Sequence, residues 1–174
     1  VRSLLSMSEA VDAVENAFRW KSLGRVQLPP KFYLFYGKYN GDHRFMPSYL
    51  EPLDVAGIKI VNTRPDNRQK YNLPTVAGLI VLMDPRTGMV QSIVDATWVT
   101  AVKTAAASAV GTKYLKRGAS GRLALVGAGL QAVAHVMAMG CVANLEAVVV
   151  WSRTRKNAEG FVSNMVEHHP AVKF

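Results

Sequence analysis

A chain of 174 residues, 49% hydrophobic and 19% charged, has room for one good core or two small domains and the composition of an ordinary globular protein. Its formal charge of +9 is scattered, tightest in "RTRK" at 153–156, with no long basic run and no interleaved aromatics, which argues against nucleic acid and for small anionic ligands. No stretch approaches the ~18 apolar residues of a membrane helix. The start "VRSLLSMSEA" lacks the core of a signal peptide, and the single Cys141 can form no internal disulfide, so the expected setting is the cytoplasm.

In chain order, "SMSE" at 6–9 reads as a capping box, Ser6 accepting an early N–H and Glu9 reaching back. Val11, Val14, Ala17 and Phe18 then share one face of a helix over 8–21, which "QLPP" ends. From 31 to 94 the period shortens: "KFYLFY", "HRFMPSY", "GIKIVNT", "GLIVLMD" and "MVQSIVD" read as strands, and "DPRTG" at 84–88 as a hairpin turn between the last two. The Ala-rich stretch from about 97 to 116 predicts a helix ending near Gly118, with Asp95 placed to cap its start. "RLALVG" is a strand, followed by a Gly turn and a helix to about 139. "LEAVVVWS" is a further strand, and "RKNAEGFVSNMVEHH" a further helix. The order describes an N-terminal α+β unit, a connecting helix and the beginning of a βαβ series, an α/β chain.

In "GAGLQA", Gly127 and Gly129 fill the first two positions of G-x-G-x-x-G/A, and Ala132 fills the third. The first glycine permits a sharp turn and the second lets a pyrophosphate approach the backbone. The small third residue lets helix and strand pack closely, and the helix start offers unsatisfied N–H groups. The preceding strand, the following helix and a second strand at the expected distance favour a dinucleotide turn over a purely structural bend. At the end of that second strand stand Ser152, Arg153 and Thr154, with no Asp or Glu for a ribose 2′-hydroxyl. A planar guanidinium with two hydroxyls suits a 2′-phosphate, so NADP(H) is preferred and NAD(H) remains possible; the alternative is a solvated charge run at a helix start.

The segments "RFMPSYL", "GIKIVNT", "LPTVAGLIVLMDPRTG", "DATWVTAVKTAAASAVGTKYL", "LVGAGLQA" and "WSRTRKNAEGF", in this order, resemble the ornithine cyclodeaminase/mu-crystallin family over nearly the whole chain. The family includes ornithine cyclodeaminases, archaeal-type alanine dehydrogenases, ketimine reductases and mu-crystallin, a ketimine reductase that also binds thyroid hormone. The resemblance implies a homodimer with an N-terminal α+β dimerisation and substrate domain, 1–118 here, and a partial Rossmann domain, a doubly wound parallel sheet, at 119–174. It implies that Arg44 and Lys59 hold a substrate carboxylate and that Thr75 lies near the cofactor. Gly127, Ala128, Gly129, Leu130 and Gln131 match the pyrophosphate turn, and Ser152, Arg153 and Thr154 match the NADPH-binding form of the strand end.

Where the family usually has "RT" on the connecting helix, this chain has Lys103-Thr104, a substrate- and cofactor-facing pair in the family's pattern. Lysine keeps the charge but loses the bidentate fork, which leaves the identity of the substrate open. Read without the resemblance, Lys59 alternates with Ile58 and Ile60 and faces either solvent or a pocket, and Arg44 is equally open. Family members are about twice as long. The catalytic Asp of the cyclodeaminases falls beyond Phe174, as does the second half of the dinucleotide site, and the chain begins at Val1, so it reads as a fragment whose open sheet edge predicts aggregation or dependence on a partner.

His43, His135, His168 and His169 have no metal-ligand spacing with Cys141, which is expected to be buried in an apolar loop. The resulting expectation is an NAD(P)-dependent oxidoreductase for a small amino, imino or keto acid, acting on neither nucleic acid nor membrane. Two alternatives stand beside it. One is an ornithine cyclodeaminase, which would form proline and ammonia and more often carries an acid where "SRT" stands; the other is a non-catalytic, NADPH-dependent binder of small ligands.

Overall fold

A computed structural model describes residues 4–118 and 120–174. The start at Val1 and residue 119, the first of the expected second domain, lie outside the described residues. The chain forms two compact units: Asn16–Thr100, and the described residues up to Glu15 together with Ala101–Phe174. Two helices, α1 (Met7–Ser22) and α3 (Thr97–Leu115), belong in part to each.

The capping box at the head of α1 forms as the spacing predicts. The Glu9 carboxylate accepts from the Ser6 backbone N–H at 2.9 Å and from its hydroxyl at 2.6 Å, and the Glu9 N–H donates back to Ser6 Oγ at 3.2 Å. These donors hold the Glu9 carboxyl below its ordinary value, the Ser6 hydroxyl contributing most. Met7, Ala10, Val11 and Val14 are buried. Phe18, expected on the same buried face, is instead 46% exposed. Helical periodicity identifies the face that turns inward, but the packing partner determines how far along the helix burial extends, and here it stops at Val14.

Among the described residues of the first unit, six strands form one antiparallel sheet: β1 (Val26–Gln27), β2 (Phe32–Tyr36), β3 (Gly41–Leu50), β4 (Val55–Thr63), β5 (Val76–Met83) and β6 (Val90–Asp95). The order is β1-β3-β4-β5-β6, and β2 shares the outer edge of β3 with β1. Pro47 shows why two short strands share that edge. It lies between Phe45, the last partner of β2, and Tyr49, which pairs with β1. A residue without an N–H is tolerated there because that edge of β3 has no ladder at Pro47. A short helix, α2 (Asn67–Tyr71), which the sequence pattern does not announce, follows β4. The β5–β6 hairpin closes at "DPRTG" as expected, with Gly88 at φ 72° donating to Asp84 O at 2.8 Å.

The register assigns the side chains to two faces. Arg44 pairs with Val61, Met46 with Lys59 and Lys59 with Ile80, so these side chains share one face. Phe45 pairs with both Phe32 and Ile60, which places them opposite, together with Leu79 and Ile93. This second face is apolar and open: Phe32 is 53%, Leu79 48% and Ile93 65% exposed. Gly78 sits in β5 where a Cβ would come within 2.7 Å of Ile60 O, so close strand approach excludes a side chain. The Asp95 carboxylate accepts the Thr97 N–H at 3.2 Å and its hydroxyl at 3.0 Å, securing the start of α3.

In the second unit, α3 buries Ala101, Val102, Ala105, Ala106, Ala109 and Val110, small side chains that admit close neighbours. Then follow β7 (Ser120–Val126), α4 (Leu130–Gly140), β8 (Asn144–Trp151) and α5 (Arg155–His168), with β7 and β8 paired in parallel. Ala132, Val136, Val148, Phe161 and Met165 make the core, joined by Leu123, Leu125 and Val150. Full burial of an aliphatic side chain such as Val136 or Met165 stabilises by about 1.5–3 kcal/mol. A third parallel partner begins at the other edge of β8, where Val148 N–H donates to Lys173 O at 2.7 Å and Lys173 N–H to Glu146 O at 3.2 Å. This β-α-β-α order with a parallel sheet is a partial Rossmann unit. Cys141 caps the end of α4 and is exposed, contrary to its expected burial; the apolar residues around it in sequence turn inward while the helix terminus faces out.

Candidate functional site

The parallel register brings the glycine turn and the "SRT" segment together. Val126 pairs with Trp151, so the Gly turn after β7 and "SRT" after β8 emerge side by side at one end of the sheet. Gly127 N–H donates to Trp151 O at 2.7 Å, fastening the turn to the end of β8. Gly127 adopts φ 113°, a conformation that L side chains rarely reach. Gly129 is the N-cap of α4 in extended conformation, without a side-chain cap, and Leu130 and Gln131 open the helix with exposed side chains. A Cβ placed on Gly127 or Gly129 would meet nothing within 4 Å, so the backbone lies open to an approaching group. The unsatisfied N–H groups of a helix start, beside glycines with open space above them, fit a pyrophosphate.

Ser152 is half-buried, whereas Arg153 and Thr154 are exposed. Thr154 is the N-cap residue of α5, its carbonyl accepting from Asn157 and Ala158, so its side chain and that of Arg153 stand at a second helix start. Lys103 and Thr104 lie exposed on α3. Ser108, one turn further on, meets His135 of α4 at 3.1 Å, and the other ring nitrogen of His135 lies 2.7 Å from Gln131 O.

In the first unit, Arg44 and Lys59 are diagonal neighbours on one sheet face, both half-buried. Arg44 also has an in-chain anion that the sequence reading missed: its Nε and Nη2 donate to the two oxygens of Asp42, each at 3.0 Å. The spacing of two in an extended strand, "D-H-R", was the available signal, since such residues share a face. The fork raises the basicity of Arg44 above its ordinary value, the hydrogen bond to Asp42 being the largest cause, and Tyr33 lies under the guanidinium at 5.7 Å. Lys59 is likewise engaged within the protein. Thr75 is exposed in the bend before β5, its carbonyl accepting the Arg64 N–H at 2.7 Å. Among the described residues no cluster of His, Cys, Asp and Glu could hold a metal ion, and no helix is long and apolar enough to cross a membrane.

An antiparallel sheet unit followed by a glycine-turned Rossmann unit defines the class of α/β protein. Residues 1–173 match the ornithine cyclodeaminase/mu-crystallin family, and the chain belongs to it. Alanine dehydrogenase of Archaeoglobus fulgidus is 42% identical over 163 residues, 94% of this chain and 49% of that protein. L-lysine cyclodeaminase of Streptomyces rapamycinicus is 32% identical over 161 residues, 91% of this chain and 47% of that protein. Among solved structures, Thermococcus litoralis Δ1-pyrroline-2-carboxylate reductase, in complex with NADH and L-proline, superposes with TM-score 0.94 at 36% identity, over 99% of this chain and 53% of that one. An archaeal alanine dehydrogenase dimer with bound NAD superposes with TM-score 0.91 at 39% identity, over 99% of this chain and 52% of that one. The chain spans about half the length of the curated relatives it matches.

Proposed function

We propose that this chain is part of a nicotinamide-dinucleotide-dependent oxidoreductase acting on a small amino, imino or keto acid. The observation that carries the reading is the side-by-side emergence of the open glycine turn and "SRT" from paired parallel strands. In this reading the second unit is the cofactor-binding domain. Gly127, Ala128, Gly129, Leu130 and Gln131 receive the pyrophosphate on main-chain N–H groups, and Lys103 and Thr104 border the same ligand from α3. Arg153, with Ser152 and Thr154, receives a 2′-phosphate, which makes NADP(H) the preferred cofactor, although the two superposed structures hold NADH and NAD.

The first unit is the substrate and dimerisation domain. Arg44, held by Asp42 and over Tyr33, keeps guanidinium hydrogens for a substrate carboxylate, and Lys59 on the same face supplies a second positive charge. When bound, the nicotinamide ring supplies or accepts the hydride; the residues of the chain bind, orient and neutralise charge. Thr75 contributes from the bend before β5. The open apolar face with Phe32, Leu79 and Ile93 is covered by a second copy, in keeping with the dimer that the archaeal alanine dehydrogenase forms. One cysteine, exposed, suits a reducing cytoplasm.

The test is spectrophotometric. Oxidation of NADPH with a cyclic ketimine, or with pyruvate and ammonia, is the expected result. The lysine cyclodeaminase relative favours a second reading, in which an ω-amino acid is cyclised with release of ammonia and no net change in cofactor. Saturable dinucleotide binding with none of these turnovers would reduce the protein to a ligand binder.

A further inference from the structure

We infer that Ser108 and His135 form a positioning clasp that sets the start of α4, and with it the pyrophosphate turn, against α3; this rests on the dinucleotide reading above. The hydrogen-bond chain runs from α3 to α4: Ser108 Oγ lies 3.4 Å from Thr104 O and 3.1 Å from His135 Nε2, and His135 Nδ1 lies 2.7 Å from Gln131 O. It therefore joins two one-turn pairs, Thr104 with Ser108 on α3 and Gln131 with His135 on α4.

The donors follow from chemistry. Gln131 O can only accept, so Nδ1 carries a proton. In the neutral ring Nε2 is then bare and accepts the Ser108 hydroxyl. In the imidazolium, Nε2–H donates to Ser108 Oγ, whose own hydrogen turns to Thr104 O. Either arrangement keeps Ser108 Oγ joined to His135 Nε2, which makes the link a clasp.

Its placement gives it a task. Gln131 belongs to the "GAGLQA" turn, and its carbonyl lies in the first turn of a helix whose N-cap, Gly129, has no side-chain cap. A glycine-capped helix start is conformationally permissive. The pair of ring and hydroxyl ties that first turn to α3, one turn from Lys103 and Thr104. Neither Ser108 nor His135 has to touch the dinucleotide; both act through the backbone that does. Two groups on different elements must be held within about half an ångström for tight binding, and packed second partners usually do the holding.

The experiment measures the dissociation constants of NADPH and NADH by fluorescence titration, with melting curves of the unliganded protein and hydrogen exchange of the amides of residues 131–134. Ser108→Ala and His135→Phe are each expected to weaken binding of the preferred dinucleotide by about tenfold. The double variant should be no worse than the weaker-binding single one. Ser108→Thr, which keeps the hydroxyl, should restore affinity, and exchange in the first turn of α4 should speed up in the two deletion variants. Ser163→Ala removes a helical serine that bonds to Glu159 O, at 3.0 Å, within its own helix; it should leave affinity unchanged. Wild-type binding with unmoved Ser108→Ala and His135→Phe, additive effects, or no recovery in Ser108→Thr would overturn the clasp alone. A wild-type protein that binds neither dinucleotide would overturn the proposed function and the clasp's role together.

Discussion

Arg153 sits exposed beyond the end of β8, a step from the glycine turn, and its value to a ligand depends on whether a phosphate is there to meet it. Arg153→Ala should weaken NADPH binding by about tenfold or more while moving NADH by less than about twofold, as read by calorimetric titration. Equal losses for the two dinucleotides would remove the 2′-phosphate assignment. Arg44 is a different kind of arginine, since two of its nitrogens are already committed to Asp42. Arg44→Ala should raise KM for the acid substrate about tenfold or more, or abolish turnover, and Arg44→Lys should recover only part because an ammonium cannot keep the fork to Asp42 while offering a second planar face. Steady-state kinetics with varied substrate checks both variants, and unchanged constants in Arg44→Ala would exclude the role.

At the level of elements, helix starts carry much of the local design. The Ser6–Glu9 box caps α1, Asp95 receives the first N–H of α3, and Thr154 and Gly129 begin α5 and α4 with no side-chain cap. Glu9 is held below its ordinary carboxyl value in the folded chain, so its contribution is full above the unfolded value and is lost as pH falls through the lowered folded one. Glu9→Gln should therefore lower the melting temperature slightly at neutral pH and narrow its gap from the wild type in acid. Melting curves at several acidic and neutral pH values measure this, and a gap that widens in acid would contradict the capping account. Strand positions were legible for a related reason: β-branched and aromatic runs punctuated by Gly, Pro and Asn mark five of the six strands of the first sheet. The two-residue β1 was not, because so short a segment has no period of its own and is a strand only through its pairing with Tyr49 and Leu50.

For the whole molecule, the open faces are what matter. The β2–β6 sheet leaves Phe32, Leu79 and Ile93 exposed on the face opposite Arg44 and Lys59. In the second unit Val126 is 86%, Val149 64% and Trp151 60% exposed. Apolar surface of this extent is costly in water and is normally covered. The double variant Leu79→Asp with Ile93→Asp should convert the proposed homodimer to a monomer by light scattering, with secondary structure unchanged by circular dichroism. A dimer that survives both charges would move the subunit contact elsewhere.

Periodicity, caps and turn residues in the sequence marked most of the helices and strands, and the Gly-x-Gly spacing marked the sharp turn between β7 and α4, because these are local properties of a few adjacent residues. Family resemblance supplied candidate roles for Arg44, Lys59, Thr75, Lys103 and "SRT". Only the tertiary structure decided that Asp42 holds Arg44, that Phe18 and Cys141 lie exposed, that Pro47 fits because an edge is unpaired there, and that His135 reaches Ser108 across two helices. Each of those facts depends on what another segment places opposite, and no residue carries its distant neighbour in its own local pattern.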